Sequence, residues 1–142
     1  MMSGFWRRWL TVWCWGVVLF GAVLAGAAFE ASSGPVRVLF AVLGGLQNLE
    51  LDGPQRFTIA IMGAVTLGWG LTLAVVVQAA HRLGAEARAT WVGVTLSVLT
   101  WYVIDSVLSV ATGFSMNAAS NTVLLAGYLA PVLVSGVLRR SA

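Results

Sequence analysis

Apolar positions along this chain run in four nearly unbroken blocks, set apart by short clusters of glycine, proline, asparagine and charge. A bilayer core about 30 Å thick takes roughly 20 helical residues, since only a helix satisfies each backbone N–H and C=O from within. Four stretches meet that requirement: Leu10 to Phe29, Phe57 to Ala80, Ala89 to Phe114 and Thr122 to Leu138. The expected architecture is all-α, a membrane-spanning four-helix bundle formed by a single domain over residues 1–142. The apolar segment Val36 to Leu46 is about half a span in length, so it is expected as a short interfacial or re-entrant helix between spans one and two. Gly44 and Gly45 mark its exit turn, near Gln47, Asn48 and Glu50.

The block ends carry helix-end chemistry. Asp52 and Pro54 precede the second block, suiting an N-cap and first turn. Gly84 follows it as a stop, with His81 and Arg82 complementing the negative end of the helix dipole. Glu86 before the third block and Asn121 before the fourth are placed to accept from orphan N–H groups. Pro131 lies within the fourth block, where it frees a backbone carbonyl and favours a kink.

Arginine placement sets the expected direction, because positive loops stay cytoplasmic. Four crossings put Arg7, Arg8, Arg82, Arg88, Arg139 and Arg140 on one side. Arg37 and Arg56 fall on the other, with Glu30, Glu50 and Asp52. Both termini are therefore expected in the cytoplasm, the membrane being a bacterial inner one, with Trp6, Trp9 and Trp91 as a cytoplasmic aromatic belt. A cleaved signal peptide is the competing reading of the first block, from Arg7–Arg8 and Ala25-Gly26-Ala27. The run is longer and richer in tryptophan than such signals, so the helix is expected to be retained.

Composition narrows the function. Hydrophobic residues make up 59% of the chain and charged ones 9%, with a mean hydropathy of +0.90, so lipid rather than water is the expected solvent. All eight basic residues are arginine and scattered, which argues against a nucleic-acid partner. Cys14 is the single cysteine, which excludes an internal disulfide, a CxxC pair and a thiolate metal cage. His81 is the single histidine, so haem held by two histidines of one chain is excluded. No metal or other cofactor is expected.

Asp105 is the one charge within a block, and such residues face the protein interior and find partners. At about 100° per residue, Ser109 and Thr112 lie within about 40° of it and Ser97 at about 80°. With Asn117 and Asn121 over its outer mouth, this makes a candidate intramembrane polar site, which Thr66, Thr72, Tyr128 or Ser135 from neighbouring blocks could also face. Two roles are open: a proton or cation site, or an interhelical staple in which a neutral or hydrated carboxyl donates to hydroxyl or amide neighbours. A second candidate is Gly63 with Gly68-Trp69-Gly70, near the depth of Trp101. It suits either tight helix packing or a pocket for a flat apolar ligand. Gly21, Ala22, Ala25 and Gly26 form a similar small-residue face.

The runs GAVTLGWG (Gly63 to Gly70) and WYVIDSVLSVATGFSMNAASNT (Trp101 to Thr122) resemble small uncharacterised four-helix integral membrane proteins of bacteria. The resemblance covers about half the chain and implies that Asp105, Gly113, Asn117 and Asn121 form a set, but it implies no reaction. Small multidrug transporters also have four spans, and their first-span glutamate is missing here. The leading expectation is a non-catalytic membrane protein, a subunit or assembly factor of a membrane complex. The alternative is a minimal homo-oligomeric transporter or channel using Asp105. An enzyme acting on lipid or quinone ranks below both, because its acid–base chemistry would rest on Asp105 alone. Expected partners are membrane lipids and either further copies of the chain or a larger membrane complex.

Overall fold

Helix boundaries in this chain follow capping chemistry more closely than hydropathy. A computed structural model describes residues 2–45 and 49–139, and among these the protein is all-helical. Its helices are α1 (Gly4–Ala25), α2 (Gly34–Gly44), α3 (Gly53–Leu83), α4 (Arg88–Ala111) and α5 (Ser115–Val134). Leu46, Gln47 and Asn48, at the expected exit of the short segment, and Arg140 lie outside the described residues. Ser3 caps α1. Asp52 caps α3 in a capping box, its carboxylate accepting from the Gln55 N–H at 2.7 Å while the Gln55 side chain accepts from the Asp52 N–H at 3.0 Å. Both caps extend their helices beyond the apolar blocks at the N-terminal side.

Three continuous helical stretches are long and apolar enough to cross a membrane: Gly4–Ala28, Gly53–Ala111 and Ser115–Val134. The middle one is 59 residues long and contains both α3 and α4, divided by a 3₁₀ turn at Gly84–Ala87. Gly84 adopts a φ of 59° there, which favours glycine. Glu86 lies exposed in that turn and α4 has no side-chain cap. The α4–α5 boundary departs most from expectation. α4 stops at Ala111 in a Schellman motif: Gly113, at φ 86°, donates to the Val110 carbonyl at 3.2 Å, and Phe114 donates to the Ser109 carbonyl at 2.7 Å. The chain reverses at once, and α5 starts at Ser115 rather than Thr122, ending at Val134 rather than Leu138.

One stripe of each long helix is buried. Along α1 it is Leu10, Cys14, Val17, Gly21 and Leu24, an alternating four-and-three spacing that keeps one face inward. Leu10 and Cys14 from this stripe join Leu73, Val77 and Ala80 of α3, Trp91, Val94 and Val98 of α4, and Tyr128 and Val132 of α5 in one apolar core. Trp91 is 2% exposed and belongs to this core instead of the expected cytoplasmic aromatic belt. The other faces are apolar too: Val12, Leu19, Val65, Val75, Val103, Val107 and Val123 are all exposed.

Glycine sets the closeness of α1 and α3. A Cβ on Gly63 would lie 2.7 Å from the Gly21 carbonyl oxygen, and one on Gly70 would lie 2.9 Å from the Val18 nitrogen. The two backbones touch where only hydrogen fits.

Pro131 is buried within α5. Lacking an N–H, it leaves the Gly127 carbonyl without its helical partner. The indole N–H of Trp9, on α1, donates to that oxygen at 2.7 Å. Trp13, one turn on, donates to the Leu124 carbonyl at 3.0 Å. Trp9 and Trp13 thus latch α1 to α5.

At the opposite end, Glu30 accepts from both Arg37 of α2 and Arg56 of α3. Arg56 also donates to the Leu51 and Ala27 carbonyls, at 3.0 and 3.3 Å. Around this clasp a second core gathers Leu24, Ala27, Val36, Leu51 and Ile59, while α2 packs against the end of α1 and, through Phe40 and Phe114, the start of α5.

Candidate functional site

The reversal at Gly113 lays the start of α5 against the end of α4. Asp105 sits six residues before the end of α4, about 9 Å along its axis at about 1.5 Å per residue. Asn117 and Asn121 are four apart in α5 and share a face. Asp105 Oδ1 accepts from Asn121 Nδ2 at 2.7 Å, from Asn117 Nδ2 at 2.8 Å and from Ser109 Oγ at 3.1 Å. Asn117 Nδ2 also reaches Ser109 Oγ at 2.8 Å, and Ser109 Oγ reaches the Asp105 carbonyl at 2.7 Å. Asn121 and Ser109 are buried, while Asp105 and Asn117 are half-buried.

The direction of these bonds matters. The carboxyl oxygen receives donors from both asparagines, whereas the staple read from sequence had the carboxyl donating. No cation joins the cluster among the described residues. One oxygen collecting three donors from two helices is a short-range crosslink, and each bond is strengthened in a low-dielectric setting.

Other residues read with this site go elsewhere. Thr112 is exposed, and its hydroxyl donates to the Leu108 carbonyl at 2.8 Å and to the Ser109 carbonyl at 3.3 Å. It follows the last residue of α4, where the backbone leaves helical geometry, so the helical angle that aligned it with Asp105 no longer applies. Ser97 is exposed. Thr66 and Thr72 donate to carbonyls of their own helix, at 2.8 and 3.0 Å. Tyr128 pairs with Thr95 at 3.0 Å inside the core. Ser135 lies at the far end of α5.

The glycine–tryptophan motif divides as well. Gly63 and Gly70 serve the α1 contact, while a Cβ on Gly68 would meet nothing within 4 Å. Trp69 and Trp101 come together with ring centroids 5.6 Å apart and planes at 43°. Each ring fills the space beside the other, and neither of two cavities among the described residues is lined by this group.

Asp105 lines neither of these cavities. One is a groove of about 730 Å³ along the outer side of α4 and α5, with Tyr102, Ser106, Ala118 and Thr122 among its lining. The other, of about 220 Å³, opens at the end of the molecule where α1 begins and α3 and α5 finish, and is lined by Arg7, His81, Trp91, Ser135 and Arg139 among others. The His81 ring lies 5.3 Å from that of Trp91, and its Nε2 is 3.3 Å from Met2 Sδ. Desolvation, then the charge of Arg7, hold the imidazole below its ordinary value. Sequence reasoning placed His81 only as a dipole complement. The signal for the cleft was the set of residues expected on one face, but no pattern in the chain paired them.

Comparison with protein-family models, with curated proteins and with solved structures gives no match.

Proposed function

We propose that this chain is a non-catalytic integral membrane protein, a four-helix bundle that crosses a bacterial inner membrane with both termini in the cytoplasm. In this reading it acts as a subunit or assembly factor of a membrane complex. The arginine asymmetry supports the direction, since Arg37 and Arg56, the pair assigned to the outer side, are both engaged by Glu30. The short α2 then rests at the outer interface.

The observation that carries the functional reading is the use made of Asp105. Its oxygen is taken up by Ser109, Asn117 and Asn121 in holding α4 to α5, and Asp105 lines neither of the two cavities described above. What the protein offers outward is apolar helix face, the material of helix–helix association in a bilayer.

Native mass spectrometry of the protein, extracted from its own membrane in mild detergent, tests this. A stoichiometric foreign membrane subunit is the expected result. A homo-oligomer with no other subunit, conducting protons or a small cation only when Asp105 is intact, would overturn it in favour of a minimal transporter.

A further inference from the structure

The cleft at the Arg7 end brings together chemistry from three parts of the chain. Arg7 comes from the first turns of α1, His81 from the last turn of α3, and Ser135 and Arg139 from the chain that leaves α5. Gly136 turns that segment at φ 62°, and the Arg139 N–H donates to its carbonyl at 3.0 Å. The Arg139 side chain folds back over the turn, its Cδ 3.5 Å from where a Cβ of Gly136 would stand. The left-handed turn at Gly136 thus brings Arg139 back toward the cleft.

Three features point to an anion. First, the lining holds two arginines and a histidine and no carboxylate. Of the acidic residues, Glu86 alone belongs to this end, and it is exposed on the turn after α3 and outside the lining. Second, the ion pairs among the described residues both involve Glu30, so neither Arg7 nor Arg139 is neutralised there. Third, the Ser135 hydroxyl oxygen is buried with no hydrogen-bond partner, an unusual state for a buried polar atom. Ser135 lines the cleft, and its hydroxyl, turned toward it, would donate to a phosphate oxygen there.

Size and surroundings identify the kind of anion. A cavity of about 220 Å³ is smaller than the pockets of about 300–1,000 Å³ that enclose drug-sized ligands. It suits a compact charged group whose remainder lies outside. Directly before Ser135 in the chain, Leu133 and Val134 are exposed at 60% and 70%, apolar surface on the same end of α5 that acyl chains can cover.

We propose that this cleft binds the phosphate of an anionic phospholipid headgroup, with Arg7 and Arg139 as its charge partners and Ser135 as a donor. The proposal rests on the membrane reading above. Basic pockets between helices on the cytoplasmic side are suited to such headgroups. Arginine content alone does not make the site: Arg8 and Arg82 belong to the same end but are outside the lining, so they supply a charge-matched control.

The test is native mass spectrometry of the full chain from micelles holding equal amounts of phosphatidylglycerol and phosphatidylcholine, counting retained lipid. Wild type should retain one phosphatidylglycerol in preference to phosphatidylcholine. Arg7→Gln with Arg139→Gln should lower that retention at least tenfold, Ser135→Ala about threefold, and Arg8→Gln with Arg82→Gln less than twofold. Ser135→Ala removes a hydroxyl with no partner in the protein and keeps the test decisive if the double arginine variant fails to fold. Equal loss in the Arg8/Arg82 variant, or equal retention by all variants, overturns the proposal. Inorganic phosphate is titrated in parallel. If it binds through Arg7 and Arg139 while phosphatidylglycerol is not retained, the site belongs to a soluble phosphate and the lipid assignment fails. An alkaline carbonate wash separates the two levels of the account. A chain that leaves the membrane pellet overturns the membrane reading and this proposal together, whereas a chain that stays but whose lipid retention does not depend on Arg7 and Arg139 overturns this proposal alone.

Discussion

Replacing Trp9 by phenylalanine should cost far more stability than a surface-apolar exchange normally does, and the reason lies on another helix. The Gly127 carbonyl has no helical donor because Pro131 has no N–H, and the Trp9 indole supplies one at 2.7 Å. Phenylalanine keeps most of the ring but leaves that oxygen orphaned. An unsatisfied buried acceptor costs about 1–3 kcal/mol, while interhelical hydrogen bonds within membranes average about 0.6 and reach about 1.7 kcal/mol. Trp9 is 44% exposed, so the expected loss lies in the lower part of the overlap of these ranges, at about 1–1.4 kcal/mol. The decisive comparison is with Pro131→Ala, which restores an N–H at position 131 and returns the Gly127 carbonyl to the helix. In that background Trp9→Phe should cost no more than about 0.4 kcal/mol, leaving a coupling of roughly 1 kcal/mol. Cys14 gives an internal probe, since it is a free thiol with 0% exposure. Its labelling rate in mixed micelles reports opening of the helices. Trp9→Phe should raise that rate about five- to tenfold in the natural background and about twofold with Pro131→Ala. An equal rise in both backgrounds, or none in either, would show that the indole N–H does not serve the proline-freed carbonyl.

Three further outcomes follow from the same geometry. Gly63→Ala should cost about 3 kcal/mol, because its Cβ meets backbone, whereas Gly68→Ala, pointing into open space, should be neutral or gain up to about 1 kcal/mol of helix propensity; thermal unfolding in detergent separates the two. Desolvation pushes the Glu30 carboxyl upward, but the hydrogen bond and charge of Arg37, joined by those of Arg56, outweigh it and hold the group below its ordinary 4.5. The folded-state value being the lower one, the clasp stabilises fully above that ordinary value and is lost as pH falls through the depressed one, so Glu30→Gln should lower the midpoint at pH 7 and flatten its acid dependence, and an acid limb as steep as wild type would contradict this. Single cysteines at Ala31 and Ser115 should react with an impermeant maleimide from outside intact spheroplasts and those at Ser3 and Ala85 only after lysis; equal reaction at Ser3 and Ala31 would contradict the topology.

What could be read from the chain and what could not divide along a physical line. Long helices, the Asp52 cap, the Gly84 stop and the glycines at 21 and 63 are local or periodic features, and sequence shows these. Trp91 and Val103 look alike in sequence because the buried stripe and the exposed faces of these helices are both apolar, so hydropathy does not tell the core tryptophan from a belt. The start of α5 was missed because Ser115 to Asn121 is polar and carries no apolar period. The signal that could have found it was Gly113 followed by Phe114, the glycine and apolar pair of a Schellman stop. With α5 starting at Thr122, Asn121 reads as a cap; with the true start, Asn117 and Asn121 become one face opposite Asp105. Pro131 was legible as the source of a freed carbonyl, but its partner lies on α1, and a side-chain bond to backbone at that separation leaves no trace in periodicity.

The measurement that bears most directly on the functional account is proton flux in proteoliposomes, made on wild type, Asp105→Asn and Asp105→Leu together with their unfolding midpoints. A structural crosslink predicts no flux above empty vesicles for any of the three. It also predicts a small stability loss for asparagine, whose amide oxygen still accepts from Asn117 and Asn121, and a loss of about 2–4 kcal/mol for leucine, which strands a buried Asn121 amide. Wild-type flux that vanishes in Asp105→Asn while the midpoint stays unchanged would contradict it and make Asp105 a transport site.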